Sequence, residues 1–344
     1  MISKKLVAAS AQSGGVVPAS VLINSGANEA ASIDISNVAS MSVIDTISST
    51  DLSLGYGYGL DINERVVYFL NTLNDSVTSL DFSNSSSLAV LDTYSNATTI
   101  DSASHYAVDG DRNVVFVGNS ASYRITSLDI TNPSSISLTQ SALFSHYTRM
   151  MALDKLNDVL YVGWLSSLSS IDVSDPSNMT LISTKSLFSS DHYGPEFVGY
   201  VDPTGTKLIT ISSVNNAVCM FDVTNPASIS LLGSVKDATN IPDVTFLNVD
   251  WSNNVAFVLG DGYLSSIDIS NTSSLSRLDT LYDASFIGTI IETIAVDAAR
   301  NVLFVGARSN GDIVKAVDYS TPTALTIAGS ITNSALTGGS VVIR

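Results

Sequence analysis

A five-residue pattern returns seven times along this 344-residue chain: an apolar residue, Asp, an apolar residue, Ser or Thr, then usually Asn or Asp. It reads Ile33-Asp34-Ile35-Ser36-Asn37, Leu80-Asp81-Phe82-Ser83-Asn84, Leu128-Asp129-Ile130-Thr131-Asn132, Ile171-Asp172-Val173-Ser174-Asp175, Phe221-Asp222-Val223-Thr224-Asn225, Ile267-Asp268-Ile269-Ser270-Asn271 and Val317-Asp318-Tyr319-Ser320-Thr321. The Asp to Asp intervals are 47, 48, 43, 50, 46 and 50 residues. A near-constant period of this size demands stacked supersecondary units.

A second Asp recurs between these marks, each closing a strand and preceding an apolar run: Asp61, Asp109, Asp154, Asp202, Asp250 and Asp297, at intervals of 48, 45, 48, 48 and 47 residues. Each period therefore holds four short strands rich in Val, Ile, Leu and aromatic residues, punctuated by Ser, Asn, Asp, Gly and Pro, with no helical periodicity. The last complete unit reads Thr293–Asp297, Val302–Gly306, Val314–Asp318 and Leu325–Gly329. The first supplies Val16–Ile23, Ala31–Ile35 and Ser42–Ile47 but has no leading strand, whereas Ser340–Ile343 has the leading-strand pattern and nothing after it. The expected fold is all-β: a seven-bladed β-propeller of four-stranded antiparallel blades over residues 16–344, closed when the C-terminal strand completes the first blade, with residues 1–15 as an N-terminal arm. Closure leaves only short, protected sheet edges.

The copies Ser127-Leu128-Asp129-Ile130-Thr131-Asn132-Pro133, Ser170-Ile171-Asp172-Val173-Ser174-Asp175-Pro176 and Met220-Phe221-Asp222-Val223-Thr224-Asn225-Pro226, each followed by a Leu- or Ile-bearing strand, resemble the LVIVD repeat of bacterial and viral β-propellers. The copies at Asn37-Val38, Asn84-Ser85 and Asn271-Thr272 lack the Pro. The resemblance implies a scaffold, and a propeller scaffold hosts many activities.

Charge excludes one class of partner. A net charge of -17 argues against nucleic acid, since phosphate binding needs a concentrated basic surface. The repeat itself contributes 13 of the 32 acidic residues, and both Asp series should fall on one face, accepting hydrogen bonds from turn N–H groups. Asp109-Gly110-Asp111-Arg112-Asn113 has the alternating oxygens of a calcium loop, but Ser120 stands where the closing Glu belongs, so turn chemistry is expected and no metal. Cys219 is the single cysteine and reads as a buried packing residue. Lys4 and Lys5 precede an apolar stretch, Leu6-Val7-Ala8-Ala9, that is too short for a signal h-region, and no run is long enough to span a bilayer, so neither processing nor membrane insertion is expected.

The opposite face gathers the irregular loops, where binding residues usually sit. All three histidines fall there, each followed by Tyr: His105-Tyr106, His146-Tyr147 and His192-Tyr193. Tyr56, Tyr58 and Phe286 lie in equivalent loops, and together these residues suggest an aromatic rim around a channel mouth. Trp164 ends a strand on this face and Trp251 follows Asp250 on the acidic one. The rim reads as loop packing, as a glycan or protein site, or as a three-His metal site. Unequal spacing of the histidines from their Asp marks, at 4, 8 and 10 residues, weakens the last. No serine-hydrolase elbow, zinc-protease helix motif, phosphate loop or Cys pair is present, so no catalytic residue and no cofactor is assigned.

Low Lys and Arg content, abundant Ser, Thr, Asn and Ala, and the short arm resemble virion proteins of tailed bacteriophages. The expectation is a non-enzymatic bacteriophage virion component (tail, neck or capsid-decorating propeller), bound to other virion proteins through its arm and contacting a host-surface glycan or protein. Two alternatives stand beside it: a bacterial surface or periplasmic adhesin or ligand-binding propeller, and a propeller hydrolase or lyase with its site at the channel mouth.

Overall fold

The computed structural model describes residues 20–25, 28–52, 55–61, 66–144, 148–164, 167–187, 196–260, 262–283, 290–308, 313–332 and 341–343. The strands follow the two Asp registers. They are β1 (Ser20–Ser25), β2 (Glu29–Asp34), β3 (Ser42–Ser48), β4 (Gly55–Asp61), β5 (Val66–Asn71), β6 (Ser76–Asp81), β7 (Ala89–Ser95), β8 (Ala103–Asp109), β9 (Val114–Asn119) and β10 (Arg124–Asp129). Next come β11 (Ser137–Leu143), β12 (Met150–Asp154), β13 (Val159–Trp164), β14 (Ser167–Asp172), β15 (Thr180–Ser186), β16 (Glu196–Val201), β17 (Lys207–Ser212), β18 (Ala217–Asp222) and β19 (Ser230–Lys236). The chain ends with β20 (Phe246–Asp250), β21 (Val255–Gly260), β22 (Tyr263–Asp268), β23 (Ser276–Tyr282), β24 (Ile290–Asp297), β25 (Val302–Arg308), β26 (Ile313–Asp318), β27 (Thr326–Thr332) and β28 (Val341–Ile343).

These strands pair into seven four-stranded antiparallel sheets, the blades of a β-propeller, six of them consecutive in sequence from β4 to β27 and the other ordered β28-β1-β2-β3. β28 pairs with β1 through Val21↔Ile343, Leu22↔Val342 and Ile23↔Val341, so the C-terminal strand is the inner strand of the first sheet. β1 extends to Ser25, past the expected end at Ile23. Neighbouring sheets meet along their inner strands, β8 against β4 and β12, β16 against β12 and β20, and β24 against β20 and β28.

From β5 onward each second strand is buried on both faces among its described residues, which is why it reads as an unbroken apolar run instead of an alternation. In β5, Val67 and Phe69 pack toward the first sheet with Ala30, whereas Val66, Tyr68 and Leu70 pack toward the third with Val115 and Val117. The same division recurs around the ring, and the last interface joins Val302 and Phe304 to Ile33 and Ile35 of the first sheet. At about 25 cal/mol per Å² of apolar surface, these interfaces are the main source of stability.

The repeated Asp is the start of the turn that follows the third strand. In every copy its Oδ1 accepts the N–H two residues on: Ser36 at 2.8 Å, Ser83 at 2.7 Å, Thr131 at 2.8 Å, Ser174 at 2.9 Å, Thr224 at 2.9 Å, Ser270 at 2.8 Å and Ser320 at 2.7 Å. The residue closing the motif then opens a β-turn, as Asn132 does by accepting Ser134 N–H on its side chain and Ser135 N–H on its backbone. The hydroxyl and then the N–H of the residue two positions on hold Asp129, Asp172 and Asp268 below the usual carboxylate range, and for Asp222 the N–H of Thr224 leads.

The turn also locks each sheet to the next. The carbonyl at its second position accepts a buried Ser hydroxyl from the preceding sheet: Ser79 to Pro133 O at 2.6 Å, Ser127 to Pro176 O at 2.7 Å, Ser170 to Pro226 O at 2.6 Å, Ser266 to Pro322 O at 2.6 Å, and Ser32 to Ser85 O. A partner thirteen residues after that Ser, on the outer strand, accepts a turn N–H: Asp45 from Leu88 at 2.8 Å, Asp92 from Ile136 at 2.6 Å, Gln140 from Met179 at 2.9 Å and Asp279 from Leu325 at 2.7 Å. Where Met220 and Ala316 replace the Ser, Gly233 and Gly329 replace the acceptor, and the same turn carbonyls, Thr272 O and Val38 O, sit where a Cβ would be.

Candidate functional site

The two faces of the ring carry different chemistry. On the acidic face the Asp residues closing the inner strands are consumed by structure. Asp154 Oδ1 accepts Leu156 and Asn157 N–H at 3.0 and 3.1 Å, and Asp250 Oδ1 accepts Ser252 and Asn253 N–H at 3.0 and 3.1 Å. Asp250 also accepts the Tyr319 hydroxyl of the next sheet at 2.9 Å, and burial together with this carboxylate raises the Tyr319 pKa. Asp109, 1% exposed, is bound by Arg112 Nε at 2.6 Å, and Arg112 Nη1 continues to Val173 O at 2.6 Å in the neighbouring sheet. The calcium-like turn is thus an inter-sheet tie. Arg300 repeats the device, with Nε 2.5 Å from Asp297 and Nη1 2.5 Å from Ile35 O. Trp251 packs into the cluster between the sheets of β17 and β21. Among the described residues no three His, Cys, Asp or Glu side chains are arranged to hold a metal ion.

The opposite face is built by loops that leave one outer strand and enter the next inner one. In several sheets the third-strand residue three before the repeated Asp anchors the incoming loop. Thr78 Oγ1 donates to Asp51 O at 2.9 Å, Thr126 Oγ1 to Thr99 O at 2.5 Å and Ser265 Oγ to Asn240 O at 2.7 Å. Lys315 at the same position pairs with Asp283, the first residue of its loop. Cys219 occupies it in the β18 sheet, where burial pushes its thiol up to about 12. The sequence expectations missed this anchoring register, although Thr78, Thr126 and Ser265 share a short hydroxyl side chain in phase with the Asp.

The inner strands change character where these loops deliver them. β4, β8, β16 and β24 each slip register near their first residues, between Gly55 and Tyr58, Ala103 and His105, Glu196 and Gly199, and Ile291 and Thr293. The bulges all lie where the inner strands begin, on the loop face, and bulges re-aim side chains and are common beside active sites. The register slips between the third and fourth strands differ: all seven fall at one equivalent position, as between Ser127 and Leu128.

The structure separates the residues grouped as a rim. His105 is half-buried on β8, with Nδ1 2.9 Å from Ser104 Oγ, and Ser104 Oγ donates to Thr148 O at 3.3 Å on the approach to β12. Tyr106 instead packs between the sheets of β5 and β9, so it is a core residue of an inter-blade interface. Trp164 is half-buried at the end of β13, paired across the hairpin with Ser167. Tyr56 and Tyr58 lie on the bulged part of β4, and their side chains fall outside the described residues, as do His146, Tyr147, His192, Tyr193, Phe286 and the N-terminal arm. Of the three proposed His-Tyr pairs, His105 is therefore the one described at this end of the inner strands, beside Ser104, whose hydroxyl links β8 to the approach to β12.

No family model and no curated protein matches the chain, so the LVIVD likeness rests on the motif alone. Solved structures do match. A protein of Bacteroides uniformis provisionally assigned as a 6-phosphogluconolactonase superposes with a TM-score of 0.78 at 9% identity, over 95% of this chain and 99% of its own. The periplasmic gluconolactonase of Pseudomonas aeruginosa gives 0.77 at 11% identity over 94% and 98%. A protein of Lactobacillus plantarum gives 0.77 at 13% identity over 95% and 100%. Identities this low establish the fold: a β-propeller with four-stranded antiparallel blades. They also correct the functional expectation: proteins named as gluconolactonase or 6-phosphogluconolactonase stand among the matching propellers and a virion protein does not, so the non-enzymatic bacteriophage reading is set aside.

Proposed function

We propose that this chain is a hydrolase on a seven-bladed, LVIVD-like ring, with its site at the channel mouth where the inner strands begin, and that it opens a small cyclic ester of the sugar-lactone class. The observation that carries the reading is the set of register slips in β4, β8, β16 and β24, all near the first residues of the inner strands. The substrate class follows the names of the two lactonase neighbours. A periplasmic or cell-surface setting, in keeping with the Pseudomonas neighbour, accompanies it.

Ring opening adds water to the ester carbonyl carbon, breaks the ring C–O bond and returns the proton to the departing oxygen. His105, half-buried and oriented by Ser104, is the residue we assign to move that proton, a role worth about 10²–10⁴ in rate. The test is proton release from glucono-δ-lactone and from its 6-phosphate by the full chain, measured against spontaneous hydrolysis. Acceleration that falls by about a hundredfold in His105→Gln supports the assignment. No acceleration of either lactone overturns it.

A further inference from the structure

We infer that the Tyr263–Tyr282 pair, on the same face as the channel mouth but farther out on its blade, is a stacking platform for a neutral oligosaccharide. The inference stands apart from the reading of the mouth. The two residues are directly opposite each other where β22 begins and β23 ends. Their ring centroids are 5.1 Å apart with planes inclined at 54°, and Tyr282 is 53% exposed.

The repeat supplies an internal control for the ordinary explanation, that a cross-strand aromatic pair stabilises the hairpin. The equivalent hairpin ends carry Ser76 and Ser95, Arg124 and Leu143, Ser167 and Ser186, Ala217 and Lys236, Glu29 and Ser48, or Ile313 and Thr332. The fold closes all of these without facing aromatic rings, so the pair is not a requirement of the blade. Two inclined Tyr rings offer an apolar surface to the C–H face of a pyranose and hydroxyls to its rim. The platform is far smaller than the roughly 800 Å² per partner of a stable protein interface. The residues beside it are polar or small, Asp283, Thr280 and Gly262, and the net charge of -17 disfavours anionic polymers.

Titration calorimetry of the full chain with cellohexaose, maltohexaose and chitohexaose tests this, with heparin as the anionic comparison. The expected result is binding of at least one neutral hexasaccharide, weakened about tenfold by Tyr282→Thr and retained in Tyr282→Phe. Threonine stands at the equivalent place in β27, Thr332, which makes the variant compatible with the hairpin, and Tyr263→Ser provides a second one. Failure of all three neutral sugars to bind at millimolar concentration, binding unchanged in both variants, or preference for heparin would each overturn the proposal.

Discussion

Gly329 on β27 is the position where a single methyl group should be most informative. A Cβ there would lie 1.8 Å from Val38 O and 2.8 Å from Val38 C, both backbone atoms of the first sheet. To reach even a 3.0 Å contact the Val38 turn must retreat by about 1.2 Å, away from the interface of Phe304 with Ile33 and Ile35. Overpacking of this kind costs about 1–3 kcal/mol, whereas Gly→Ala in an unstrained site gains about 0.4–1 kcal/mol through the unfolded chain. The contact should win, so Gly329→Ala is expected to destabilise by roughly 1–2 kcal/mol net. Gly233→Ala, whose Cβ would meet Thr272 O at 2.6 Å, should cost less. Ser183→Ala is the matched control: it removes one hydrogen bond to Pro226 O, and Ser170 still donates to that carbonyl. Urea unfolding at constant m reads all three. A midpoint for Gly329→Ala equal to or above that of the parent would refute the claim that turn and glycine are fitted to each other.

Ser127→Ala, which leaves Pro176 O without its buried donor, is expected to cost about 1–2 kcal/mol in the same assay. Arg300→Ala removes both the Asp297 ion pair and the tie to Ile35 O, and should lower the melting temperature more than Arg277→Ala, whose partner Asp237 lies in a more exposed pair. Because Asp129, Asp172, Asp222 and Asp268 are held below their unfolded pKa, their contribution is complete above about pH 4 and is lost as pH falls through the folded values. Unfolding midpoints should therefore be flat from about pH 7 to 5 and drop below about pH 4, with a shallower drop in Asp129→Asn. Cys219, 3% exposed and with its thiol raised to about 12, should react with a thiol reagent at pH 8 only after denaturant is added.

The ring was legible in the sequence because its turns are chemical. Asp at one place and Asn at another each satisfy named N–H groups, so the blades repeat as letters. The inter-sheet lock was equally present in the letters, as Ser32 with Asp45, Ser79 with Asp92 or Ser266 with Asp279 at a spacing of thirteen, and as Met220 with Gly233 or Ala316 with Gly329. It went unread because these acids look like surface charge and a register slip separates the paired positions. Tyr106, read from the sequence as a loop residue, lies on β8 just past the bulge between Ala103 and His105 and packs against the inter-blade cluster. Function was the least legible, since it belongs to loops that the repeat does not govern.

The pairing of β28 with β1 sets the order in which the molecule can be made. Val21 finds Ile343 across roughly 320 residues, a closure whose entropy grows only logarithmically and amounts to about 5 kcal/mol. On the ribosome the middle sheets can assemble from their own segments, while the first must wait with an unclaimed edge for a strand synthesised after all six of them. The N-terminal sheet is thus the final part of the ring to mature. A nascent chain stalled before Val341 presents that edge to any strand within reach.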